Sequence, residues 1–156
     1  MSAENFIDGV EEALADPLLA SELAELVPGQ WSVLVGNRPV SSIPASQLPC
    51  FVLEQGSGAA EPIGDDGQFL TIGNHSQSFR SLLSIAAIWN DNDRKRAARL
   101  RSALPRLLAQ LFLRYPQPGG VVSAWLDGWD TDAGTRHPSQ VWIGTVAGQY
   151  VIDNNG

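Results

Sequence analysis

SFRSLLSIAAIWNDNDRKRAARLRSALPRLLAQLFLRYP, residues 78–116, decides the fold. Its first part alternates: Phe79, Ser81, Leu83, Ile85, Ala87 and Trp89 fall on one face of a strand, and Arg80, Leu82, Ser84, Ala86 and Ile88 on the other. Both faces are largely apolar after Ser81, which predicts a central strand covered on both sides. Asn90 or Asp91 is placed to cap the helix that follows over 92–114. Ala97, Leu100, Leu104, Leu107, Leu108 and Leu111 make its apolar stripe. Pro105 lies inside that stripe and predicts a kink or a break, since proline has no N–H to give.

Working outward, residues 5–27 carry Phe6, Val10, Leu14 and Leu18 at helical spacing. Pro17 is expected to end a first helix, and a second runs over 18–27 to Pro28-Gly29. Glu4, Asp8, Glu11 and Glu12 are read as favouring the dipole of the first helix from its N-terminal half. Strands are expected at 31–36 (WSVLVG), 50–55 (CFVLEQ), 68–73 (QFLTIG), 121–125 and 140–151. A proline- and serine-rich arm joins the first two. The glycine-rich stretch 56–67 reads as a loop or hairpin tip, and 130–138 as a polar loop. The stretches 56–67 and 127–138 are expected at assembly surfaces, mobile in the free subunit. The order gives one α+β domain, with helices packed on a mostly antiparallel mixed sheet.

Charge is segregated along the chain. Residues 1–93 hold 13 acidic and 2 basic side chains, a net of −11, whereas 94–114 hold 7 basic and no acidic ones. The remaining 4 acids and 1 arginine bring the whole to −7. Seven cations without an acid repel one another, so Arg94, Lys95, Arg99 and Arg101 are expected to meet acids on a partner. Glu11, Glu12, Asp65 and Asp66 are the candidate counter-charges. Opposed charged surfaces suit docking to protein better than chemistry on a small molecule. An acidic chain is also a poor general binder of nucleic acid.

Catalytic motifs are missing from the sequence. It has no phosphate-binding glycine loop, dinucleotide fingerprint, serine elbow or zinc helix. Cys50, the one cysteine, sits in PCFVLE and reads as a small buried hydrophobe. Lys95 is the one lysine and lies beside two arginines, as a solvated or docking charge. His75 and His137 stand in polar loops. Asp127, Asp130 and Asp132 invite a cation, yet a calcium loop begun at Asp130 has Val141 where the bidentate acid belongs. No cofactor or metal is expected, and neither a membrane span nor a secretory signal. Trp31 and Trp142 fit a sheet core. Trp125 and Trp129 border the acidic loop and are candidate interface anchors.

This layout resembles the tail terminator proteins of long-tailed bacteriophages, the minor tail protein U group of lambda-like phages. The resemblance is carried by the N-terminal helix, the strands at 31–36 and 50–55, and a looped-out middle. After these come the long strand 79–89 with its aspartate-rich turn, the helix 93–114 and a closing strand at 142–152. Pro105 and the arm 38–49 depart from the pattern. The resemblance implies a hexameric ring at the head-proximal end of the tail tube. Such a ring has no enzyme activity. It ends tube polymerisation at the length set by the tape measure and presents the docking surface for the head. The implied partners are further copies of the chain, the tail tube protein and a head-completion or neck protein. Genomic DNA would pass the lumen without specific binding. The implied location is the virion tail, assembled in the host cytoplasm. A head-completion or neck role, a small non-viral adaptor, and an enzyme built on Asp127–Asp132 are the competing readings.

Overall fold

Segment 78–116 forms a strand, a turn and a helix in a computed structural model that describes residues 3–36, 42–63, 76–132, 134 and 137–153. Along the chain the elements are α1 (Ala3–Leu14), α2 (Pro17–Leu26), β1 (Ser32–Val35), β2 (Cys50–Ile63) and β3 (Ser76–Asn90). After these come α3 (Arg94–Arg114), β4 (Ser123–Thr131) and β5 (Ser139–Asp153). The strands make one five-stranded sheet in the order β1-β2-β3-β5-β4. β1 runs parallel to β2 and every other pairing is antiparallel. The result is a single-domain α+β fold with a mixed sheet.

β3 is central, as its two apolar faces predict, but helices cover only one of those faces. Leu83, Ile85, Ala87 and Trp89 are fully buried on the helix side, among Phe6, Leu53, Leu104 and Trp142. On the other side Leu82, Ser84 and Ala86 are half-buried. There Ile43 and Leu48 cover only the end that holds Cys50, Val52 and Ile88. All three helices turn their apolar stripes to the same face. The small residues Ser84 and Ala86 forgo less by staying half-wet than leucines would.

Two loops and breaks expected from composition are not formed. Residues 56–63 continue β2 past a bulge between Gln55 and Gly58, because β3 pairs with them as far as Ile63 opposite Ser76. Backbone pairing there does not depend on the glycine and alanine side chains. The strand expected at 68–73, the far part of the 56–67 loop and His75 lie outside the described residues. Helix α3 runs through Pro105 as one element of 21 residues. Leu100, Leu104, Leu107, Leu108 and Leu111 are all buried on both sides of the proline. Each such side chain contributes about 1.5–3 kcal/mol of burial, against a proline cost of about 3 kcal/mol. Packing therefore wins.

The helix ends also differ from expectation. Pro17 opens α2 rather than closing α1, with Asp16 as N-cap accepting from the Leu19 N–H at 3.2 Å. Asp93, not Asn90 or Asp91, caps α3, accepting from the N–H groups of Lys95 at 3.0 Å and Arg96 at 3.1 Å. Helix α1 seats by close backbone approach: a Cβ on Gly9 would collide with the backbone of Gly119, which itself has φ +66°.

Candidate functional site

The seven cations of α3 divide by position. Arg96 forks onto Asp91, with Nε donating to Oδ2 at 2.7 Å and an Nη donating to Oδ1 at 2.8 Å. That fork, against burial of the carboxylate, holds Asp91 below the usual carboxylate range, and Asp93 N–H adds to it. Arg101 donates to the buried side chain of Gln140. Gln140 in turn contacts the His137 ring nitrogen at 3.2 Å. Arg106 reaches Glu22 of α2 at 3.5 Å, and Arg114 reaches Asp16 at 2.6 Å. Arg94, Lys95 and Arg99 are left exposed, with no ion pair among the described residues. Arg101 is therefore an internal strut and leaves the expected docking set; its partner is a glutamine 39 residues away, which spacing alone does not reveal.

Asp16 is the hub at the other end of the helix. It is nearly buried and accepts from Arg114, from the Tyr115 hydroxyl at 2.9 Å and from Leu19 N–H. Burial alone would raise its pKa, but these three hydrogen bonds outweigh burial and hold it below the ordinary value. The same bond to Asp16 pushes the Tyr115 hydroxyl up. A cavity of about 540 Å³ opens beside this hub, lined by Gly9, Glu12, Asp16, Arg114, Tyr115 and Gln117 among others. Its Asp16, Arg114 and Tyr115 groups are turned on one another and join the start of α2 to the end of α3.

The unpaired charges sit where the helices tolerate them least. Arg94 and Lys95 occupy the first turn of α3, which has no acid, at the positive end of the helix dipole. Glu11 and Glu12 fall in the last turn of α1, the negative end, which has no basic residue. This corrects the reading that the α1 acids favour the dipole, which fails for Glu11 and Glu12. Each misplaced charge costs about 0.3–1 kcal/mol at low salt. Asp8, Glu11 and Glu12 are exposed. Asp65 and Asp66 lie outside the described residues.

The two candidate tryptophan anchors part company. Trp125 pairs with Ala147 and Trp129 with Gly144, with a bulge between Leu126 and Gly128. The bulge inserts Asp127, so residues four apart point to opposite faces of the sheet. Trp125 stands on the helix-free face, 37% exposed, its indole N–H on Asp127 at 3.3 Å. Trp129 is on the helix side at the β4 edge, 59% exposed. Asp127 also takes Arg80 at 3.2 Å, Asp130 takes the Thr131 N–H, and Asp132 takes the Gly134 N–H. These three carboxylates serve separate local contacts. Among the described residues no group of three acidic, histidine or cysteine side chains converges as metal ligands would. Cys50 is buried, and burial raises its thiol pKa, so it is the inert hydrophobe its context suggests. Among the described residues no helix is long and apolar enough to cross a membrane.

The comparisons with known proteins bear on the fold. No family model matches the chain. No curated protein matches it either. It is similar to a solved structure at 15% identity and a TM-score of 0.50, over 97% of this chain and 96% of that one. It is also similar to a chain of the virion of a native gene transfer agent (GTA) particle, at 12% identity and a TM-score of 0.44, over 91% of this chain and 90% of that one. At 15% identity the first likeness is one of fold alone, matched along almost the whole length of both chains.

Proposed function

We propose that this chain is a structural component of a phage-like virion that caps the head-proximal end of the tail tube as a ring. As a cap it ends tube polymerisation and presents the surface on which the head docks, with no catalytic step. The observation that supports this reading most is the strand–turn–helix core: β3 at the sheet centre, the Asp91–Asp93 turn, and α3 over it, preceded by an N-terminal helix. That is the layout on which the resemblance to tail terminators rests. The surface agrees in kind. Its free cations, its free acids and its exposed tryptophans are displayed on helices and strand edges, as interfaces require. A hexameric ring needs one surface to meet a different one on the next copy, and separated charge provides such a pair.

The test is where the protein goes and what tails do without it. Headless tails from a phage lacking this chain should have overlong tubes. Purified protein added during assembly should restore uniform length and appear at the head-proximal tip in micrographs. Protein found on tailless heads, with tube lengths unchanged by its loss, would replace the terminator reading by a head-completion or neck role.

A further inference from the structure

We propose that the first turns of α3 on one copy dock against the last turn of α1 on a second copy, Lys95 and Arg99 meeting Asp8, Glu11 and Glu12. The contact rests on the ring reading above and names the surfaces that would make it. Lys95 and Arg99 stand one turn apart on one stripe of α3, about 6 Å along the axis. Asp8 and Glu12 stand one turn apart on α1, so the two ladders have the same spacing. From Arg99 toward Arg106 the α3 surface drops into a depression of about 380 Å³ lined by Ala98, Arg99, Ser102, Ala103 and Arg106. Its small side chains let a second helix come close. The far end of the same face already holds an acid from another helix, Glu22 of α2 on Arg106.

Electrostatics select the occupant. Three exposed cations at the positive end of α3 call for an anionic partner, and two glutamates at the negative end of α1 call for a cationic one. One chain supplies both halves. No ion pair joins the two sets among the described residues of a subunit: α3 packs on α2, β4 and β5, while α1 packs over β2 and the Pro118–Gly120 turn. Opposite charges on different flanks cannot close on themselves but can close head to tail around a ring.

The test is a charge-swap mixture. Lys95→Glu with Arg99→Glu gives the α3 ladder the acidic sign of the α1 end; Glu11→Lys with Glu12→Lys makes the last turn of α1 basic, like the α3 ladder. Each double variant should stay folded and melt at or slightly above the parent's temperature, since each moves charge to the helix end that favours it. Alone, each should lose assembly in sedimentation, by about tenfold or more in apparent dissociation constant at low salt. Mixed in equal amounts, the two should co-assemble to the parent's particle size, alternating around the ring. Either variant assembling alone like the parent would overturn this contact and leave the ring reading standing. So would two folded variants that fail to co-assemble. A parent chain that stays monomeric in solution and on tail ends would overturn the contact and the ring together.

Discussion

The two ends of α3 carry similar side chains and do opposite jobs. At the C-terminal end Arg114 is tied to Asp16 at 2.6 Å, and Tyr115 joins the same carboxylate. That knot joins α3 to the junction between α1 and α2. At the N-terminal end Arg94, Lys95 and Arg99 face solvent, the first two in the turn where the dipole repels them. A run of like charge is thus not one surface. Where a cation has a buried acid to meet, it builds the fold; where it has none, it stays in solvent.

That contrast presupposes that the middle of α3 is core, and the largest effect tests this. Leu104 is fully buried. Leu104→Asp places an unpaired carboxylate among Leu100, Leu108 and the sheet, and should abolish cooperative unfolding. A parental melting curve would remove α3 from the core and dissolve the comparison.

The C-terminal end is sharpened by Asp16. Asp16→Ala removes a cap and the acceptor for Arg114 and Tyr115, and should cost about 1–2 kcal/mol in chemical denaturation. Acidity gives the same answer by another route. Asp16 and Asp91 are both held below the ordinary carboxylate value in the folded chain by their hydrogen bonds. A depressed folded pKa contributes fully above the unfolded value and is lost as pH falls through the folded one. The parent should therefore lose stability below about pH 4, and Asp16→Asn should flatten part of that acid limb. An unchanged acid limb would mean that Asp16 holds nothing together.

The smallest effect has the opposite sign. Arg94→Glu puts an acid in the first turn of α3, where the dipole favours it, and should raise stability by about 0.3–1 kcal/mol. If the exposed end of α3 is a docking surface, the same change should weaken assembly on tail ends. Gain in stability with loss of assembly is the signature of a charge kept for a partner. Unimpaired assembly would place the partner contacts elsewhere, with Trp125 or Trp129 as the next anchors to test.

Much of this protein was decided by local pattern. Alternation in 79–89 and the leucine stripe of α3 place a central strand beside a covering helix, because burying apolar faces at periods of 2 and 3.6 leaves few other arrangements. Segregation of charge was likewise visible in the sequence. Only the tertiary structure decided which charges are free, since Arg114 finds its acid 98 positions away and Arg101 its glutamine 39 away. It also decided that β2 runs on to Ile63, because β3 offers a backbone ladder that composition does not announce. Pro105 stays inside a continuous helix because leucines on both sides are held by the sheet. Trp125 and Trp129 point apart because one bulged residue reverses the parity of the strand between them. Periodicity acts between near neighbours and can be read from the chain; partners and parity depend on what the folded chain brings alongside.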